Sequence, residues 1–287
     1  MKLKNLIFTC SIALLASCGP SGQQQTETET ATDSLRIVSI NGTVSEILAS
    51  LGMVDQIVGT DVTSTYPESL QSKPKVGHNR KLAIEGILSL DPDVVIGTEA
   101  DMSEENKTQL TQTGIKVQLF QQDFSTQGTK TLIRQLADSL GKSSAADSVL
   151  QILNQQLDSA AQLAAVTPKP RVLFIYARGA GTMMVGGQGT QIDEMIRLAD
   201  GENVARDISD YKPLTPEALV KYNPDVILLF DSGLSSLGGA DGLLAVKGVA
   251  QTNAGKNKKI VEMDGQLLSG FGPRVALAID ELYHKIH

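Results

Sequence analysis

Two stretches of this chain, 132 residues apart, are copies of one unit in gapless register. Leu82-Ala-Ile-Glu85-Gly-Ile-Leu-Ser-Leu-Asp-Pro92-Asp93-Val94-Val-Ile96 aligns on Leu214-Thr-Pro-Glu217-Ala-Leu-Val-Lys-Tyr-Asn-Pro224-Asp225-Val226-Ile-Leu228. Five of the fifteen positions are identical, and most of the others keep their polarity. Each copy reads as a short helix with Glu in its first turn, an Asx-Pro turn, and then a buried strand. A unit used twice so far apart predicts two similar α/β lobes. Two lobes imply a cleft, and clefts between domains are where ligands bind.

At 287 residues the chain is long enough for two domains with cores of their own. Its first residues read as a targeting signal rather than structure. Lys2 and Lys4 form a charged start, and Leu6 to Ala16 form an apolar stretch too short to span a bilayer as a helix. The stretch ends in Leu15-Ala-Ser-Cys18, the small-residue cleavage pattern of a bacterial lipoprotein, which makes residues 1–17 a signal peptide and Cys18 the lipidation site. Residues 18–34 are polar and of low complexity, and they read as a flexible tether from a lipid anchor to a soluble body. The expected setting is the periplasm or cell envelope, with the membrane reached through Cys18. Cys10 leaves with the signal, so the folded body carries no thiol for disulfides or cysteine metal sites.

Without residues 1–17 the chain has 23 basic and 32 acidic side chains, a net of −9. No basic stripe with interleaved aromatics is present, which excludes nucleic acid as the expected partner. In the body, strands are predicted at Leu35–Ile40, Gln56–Gly59, Val94–Gly97 and Lys116–Leu119, alternating with helical segments such as Val44–Leu51. That alternation predicts a mainly parallel sheet covered on both faces. From Thr126 to Ala165 apolar residues recur at helical spacing with no strand between, and Gly141-Lys-Ser-Ser breaks the run into two helices. Pro168-Lys-Pro170 closes it, and Arg171–Tyr176 opens a new strand. The expected organisation is an N-terminal lobe over 35–125, a connecting helical region over 126–169 and a C-terminal lobe over 170–287. A long helix between lobes acts as a strut and limits their closure.

The body has three histidines, and His284 and His287 lie in the terminal helix where a surface role is the default. His78 sits in Lys75-Val-Gly77-His78-Asn79-Arg80, a loop just before the first repeated unit, with Gly77 giving backbone freedom. A neutral imidazole there is a good ligand for a transition metal or for haem iron. A surface loop histidine is the plainer account. Met183-Met184-Val-Gly-Gly-Gln-Gly lacks the Lys-Ser/Thr of a phosphate cradle and reads as a turn where backbone approaches a flat ligand. Met183 or Met184 can offer a thioether there, although methionines more often fill a core. Glu46 and Glu194 each stand early in a helix, one per lobe, a placement the helix dipole favours and that also suits docking onto a symmetric basic partner. No nucleophile elbow, HExxH, Gly-x-Gly-x-x-Gly or P-loop lysine motif occurs, so no enzymatic activity is expected.

Arg36-Ile-Val-Ser-Ile-Asn-Gly-Thr-Val-Ser-Glu-Ile-Leu, Thr63-Ser-Thr-Tyr66-Pro, Tyr211-Lys-Pro-Leu-Thr-Pro-Glu-Ala-Leu-Val, Leu237-Gly-Gly-Ala-Asp-Gly-Leu-Leu and Ser269-Gly-Phe271-Gly-Pro-Arg274 together resemble a known family. It is the substrate-binding proteins of bacterial ABC importers, and specifically their haem-binding type. The likeness covers nearly all of 35–283. It implies the class III periplasmic binding protein fold, two Rossmann-like α/β lobes joined by a long helix. It also implies a monomeric protein that delivers haem to an ABC permease dimer with its ATPase. Ferric siderophores or cobalamin are the alternative ligands of the same family.

In that family the loop before the first repeated unit usually reads Gly-Tyr-x-Arg, with the tyrosine as axial iron ligand. This chain has His78 at that place and keeps Arg80. The resemblance makes His78 the leading iron ligand. Imidazole accepts both ferric and ferrous iron where tyrosinate favours ferric, so a less negative reduction potential is expected. Some members add a histidine from the second lobe near Ala177-Arg178. This chain has none, which leaves Met183, Met184 or water as sixth ligand. Arg80 and Arg178 are candidates for the haem propionates. Tyr66 is a fallback ligand, and Glu46 and Glu194 would pair with permease arginines.

Overall fold

The computed structural model describes residues 34–78, 81–165 and 167–287. The signal peptide, Cys18 and most of the tether lie outside the described residues, as does Arg80. Leu35–His287 forms one compact unit.

The first sheet is fed by β1 (Ile37–Ser39), β2 (Ile57–Thr60), β5 (Val94–Thr98) and β6 (Lys116–Phe120), in the order β2-β1-β5-β6 and all parallel. A separate two-residue hairpin pairs β3 (Gly77–His78) with β4 (Lys81–Leu82). The helices of this part are α1 (Gly42–Ser50), α2 (Ile84–Leu88) and α3 (Glu104–Gln112). Then come α4 (Thr126–Ser139) and α5 (Ser143–Ala160), broken at Leu140–Lys142 as the Gly141 signal predicts.

The second sheet takes β7 (Arg171–Ala177), β8 (Met183–Gly186), β9 (Glu202–Asn203), β10 (Tyr211–Pro213), β11 (Val226–Phe230) and β12 (Ile260–Met263). Its order is β10-β8-β7-β11-β12, with β9 beside the start of β7. β7, β11 and β12 are parallel, and β8 runs antiparallel between β7 and β10. The helices here are α6 (Gln191–Leu198), α7 (Pro216–Tyr222), α8 (Asp231–Ser236), α9 (Gly239–Leu244), α10 (Asn253–Asn257), α11 (Gly265–Gly270) and α12 (Val275–Ile286). Among the described residues no helix is long and apolar enough to cross a membrane.

The repeated unit keeps its 132-residue offset in three dimensions: β5 and β11 begin and end at corresponding positions. The Asx residues before the prolines, Asp91 and Asn223, both adopt left-handed backbone, with φ of 45° and 41°. This is a conformation that Asn and Asp tolerate better than most residues. Sequence comparison of the two copies missed a further shared device. Arg36, just before β1, donates to the carbonyls of Leu90 and Asp91 at 2.6 and 2.8 Å. Arg171, opening β7, donates to the carbonyls of Tyr222 and Asn223 at 2.7 and 3.0 Å. Each guanidinium satisfies carbonyls that the end of a helix leaves without intrahelical partners.

β5 is buried at every position and β11 at all but its last, as strands covered on both faces must be. One apolar cluster runs from Ile37 in β1 through Leu132 and Leu153 in the helical connection to Phe174, Phe271 and Ile286. The two sheets therefore share a continuous core through α1, α4, α5, α11 and α12.

Candidate ligand-binding site

Ligands of open parallel α/β sheets bind beyond the carboxyl ends of the strands. At that end of the first sheet the loop after β2 exposes Val62 and Tyr66, and the loop after β6 exposes Phe124, 48, 44 and 38 % respectively. The hairpin carrying His78 is tied to the first of these loops: the Val62 amide donates to the Gly77 carbonyl at 2.9 Å. Lys75 ties the same loop from below, its ammonium donating to Thr60 Oγ1 and to the Ser64 and Leu70 carbonyls at 2.8–3.1 Å. Burial pulls the Lys75 pKa down, and the charge of Asp61 opposes the change. Gly77 is required where it stands, with φ at 102° and a space in which a Cβ would lie 2.6 Å from the Lys81 carbonyl. His78 is half-buried on this rim.

The second sheet offers aromatics. Strand register sets Tyr176 opposite Met184 and Phe230 beside the end of β7, while Tyr211 stands opposite Gly186. Phe174, Tyr176, Tyr211 and Phe230 meet edge to face, with ring centroids 4.9–6.5 Å apart. Gly186 makes the cluster possible, because a Cβ there would lie 3.1 Å from Phe174 Cδ1 and 3.4 Å from Tyr211 Cε1. Burial, with Tyr176 adding to it, pushes the Tyr211 hydroxyl well above the usual phenol range. Arg178 is exposed at the tip of the β7–β8 hairpin, its guanidinium 5.6 Å from the Tyr176 ring.

The expected methionine pair divides. Strand alternation puts Met184 on the face of Tyr176, whereas Met183 packs into the apolar cluster of Leu173, Ile175 and Val185 behind the sheet. Met183 is therefore partly buried against the apolar cluster on the far face, and of the two only Met184 stands on the aromatic face.

The docking expectation for Glu46 needs correction, whereas Glu194 keeps part of its side chain at the surface. Glu46 is buried, and its carboxylate accepts from Arg274 Nε and Nη2 at 3.0 and 2.8 Å, from the Arg274 amide and from Gln266. A carboxylate held by a bidentate guanidinium inside the body has no surface left for a permease. Glu194 pairs with Arg197 one turn on, through bonds of 2.5 and 2.7 Å, in a contact that remains partly open to solvent. The helix-start pattern that suggested both residues carries no information about tertiary partners.

Gln266 and Arg274, which residue-type reasoning passed over, join the halves. Gln266 donates to the Gly42 carbonyl at 2.9 Å and accepts from the Thr65 and Tyr66 amides at 2.8 and 3.1 Å. The Arg274 guanidinium lies 3.5 Å above the Tyr66 ring. Thr43 and Gln122 donate to the Gly270 carbonyl, and Thr129 donates to that of Phe271. The Ser269–Arg274 motif is thus the clip between the two sheets' surroundings. Among the described residues no group of three or more His, Cys, Asp or Glu could hold a metal ion.

Two α/β sheets in one core, a helical connection between them, and apolar rims at their strand ends define a class III periplasmic binding protein. Residues 37–267 match the periplasmic binding protein family, and the chain belongs to it. Members of that family carry substrates for transport and are not enzymes. The periplasmic haem-binding protein RhuT from Roseiflexus sp. RS-1, in apo form, superposes with a TM-score of 0.84 at 38% identity, over 88% of this chain and 100% of that one. The periplasmic haem-binding protein BhuT, in complex with two hemes, gives 0.82 at 34% identity, over 88% and 97%. Among curated relatives, the substrate-binding lipoprotein YvrC of Bacillus subtilis is 28% identical over 88% of this chain and 80% of its own. A cobalamin-binding protein of Halobacterium salinarum is 24% identical over 88% and 69%.

Proposed function

We propose that this protein captures haem outside the cytoplasmic membrane and hands it to the permease of an ABC importer, tethered through a lipid on Cys18. The observation that carries the reading is the half-buried imidazole of His78 on a rim with exposed Val62, Tyr66 and Phe124, the second sheet contributing Tyr176, Met184 and Phe230. One protein ligand suits an iron that already holds four equatorial nitrogens, and apolar rings suit a macrocycle face. Likeness to haem-binding proteins over nearly the whole of each chain supports the same ligand. His78 is the axial ligand, Met184 or water completes the iron, and Arg178 and Arg80 take propionates.

Docking falls to the repeated unit. Glu85 in α2 and Glu217 in α7 occupy equivalent places in the two copies, and both are exposed. With Glu46 buried under Arg274, this pair offers one exposed helix-start carboxylate per half to a two-fold basic surface. Charge reversal at both, Glu85→Lys with Glu217→Lys, is expected to abolish stimulation of the importer's ATPase without altering ligand binding. Stimulation that survives in the double variant excludes this docking pair.

The primary test is titration of the purified protein with hemin, followed by absorption, beside a His78→Ala variant. A saturating Soret shift that the variant alters or loses is the expected result. An unchanged shift in the variant moves the ligand to Tyr66 or Met184. No shift at all redirects the reading to cobalamin or a ferric siderophore.

A further inference from the structure

Tyr66 belongs to the first half of the molecule by sequence, yet its ring and its amide are held by residues of the second half. Its ring lies under the Arg274 guanidinium at 3.5 Å, and its amide and that of Thr65 donate to Gln266 Oε1. The Thr65 hydroxyl donates to the same oxygen at 2.8 Å. Gln266 Nε2 meanwhile reaches Gly42 and Glu46, and Glu46 binds Arg274. The network is closed: Glu46 is 6 % exposed in its side chain, and its four donors all come from Gln266 and Arg274.

We infer that Arg274 and Gln266 are positioning residues for the ligand cleft, coupling the Tyr66 wall to the contact between the two halves. The inference rests on reading that cleft as the ligand site. Withdrawing Arg274 strands a buried carboxylate, so the contact is made in full or given up, with little between. When a partner draws the halves apart, Gln266 and Arg274 leave together. Tyr66 then loses its ring cover and its backbone anchors in one step, and the wall against the ligand loosens. Separation and release become one event.

The chain contains no tryptophan, so Tyr66→Trp installs a single fluorophore at the wall. It is placed in the full chain in three backgrounds: otherwise unchanged, Gln266→Ala, and the paired change Glu46→Gln with Arg274→Met. The pair leaves no buried charge alone and guards against simple misfolding. Acrylamide quenching of the ligand-free proteins is expected to rise about twofold in both altered backgrounds as the loop loosens. With Tyr66 restored, hemin transfer to an acceptor globin is expected about tenfold faster in the same backgrounds, as lost hydrogen bonds imply, with the Soret position unchanged because His78 is untouched. Unchanged quenching overturns the inference even if hemin leaves faster, since the loss would not run through Tyr66. Raised quenching with an unchanged transfer rate overturns the coupling. If the unaltered protein takes no hemin, the haem reading fails separately and quenching alone decides whether the wall depends on the clip. Each background is tested by itself, so failure of one to fold leaves the other to decide.

Discussion

At position 78 an imidazole stands on a two-residue strand whose other residue, Gly77, has the positive φ that the hairpin needs. Its chemistry, not its fold, sets the first prediction. Replacing it by tyrosinate favours ferric iron, so His78→Tyr is expected to lower the reduction potential of bound haem, read by spectroelectrochemical titration. The methionines give a companion test at the same scale. Met184→Leu is expected to change the spectrum of the reduced complex if sulfur completes the iron. Met183→Leu, behind the sheet, is expected to leave it unchanged and to shift stability by under about 1.5 kcal/mol. A spectral change from Met183→Leu but not from Met184→Leu would overturn the placement of the two methionines on opposite faces of β8.

At the scale of elements, the short α7 is joined to the segment before it through Tyr222, whose hydroxyl donates to Asp207 at 2.7 Å, while Lys221 donates to the other carboxylate oxygen at 2.9 Å. Burial first, and then Asp207, pushes the Tyr222 hydroxyl up to about 12 from its ordinary 10.0. The unfolded chain loses this proton near 10 while the folded chain keeps it, so the contribution is full below pH 10 and fades as pH rises through about 12. Asp207 runs the other way. Tyr222 and then Lys221 hold it below the ordinary 3.8, so its contribution is present above that value and is lost as pH falls through the folded one. Urea midpoints measured against pH are expected to fall less steeply above pH 10 in Tyr222→Phe. An identical slope in the variant would refute the assignment. The repeated helices obey the same local logic, each closed by an arginine at the start of the strand beside it, Arg36 just before β1 and Arg171 opening β7.

At the scale of the whole molecule, the Glu46–Arg274 ion pair is a buried charge contact between the halves, and its removal separates charge from packing. Arg274→Met alone leaves a buried carboxylate without its cation and is expected to cost about 3–5 kcal/mol. Glu46→Gln with Arg274→Met removes both charges and is expected to cost less than the single change. Urea unfolding of the two variants checks the order, and a double variant less stable than Arg274→Met would refute it.

Much of this organisation was legible in the chain itself. The gapless repeat predicts two α/β halves, and β5 and β11 keep its register because each copy carries the same helix start, Asx turn and buried strand. The Gly141 break, the parallel strands and the placement of His78 ahead of the repeat follow from local preferences that neighbours in sequence decide. What pairs with what across the core is a different matter. Glu46 looked available because a helix-start carboxylate is the same string of letters whether water or Arg274 faces it. Met183 and Met184 are adjacent in sequence, and only the register of β7 with β8 puts them on opposite faces. Gln266 and Arg274 acquire their roles from partners some 200 residues away. Such contacts depend on how helices and sheets pack, and packing is a property of the assembled core that local spacing does not encode.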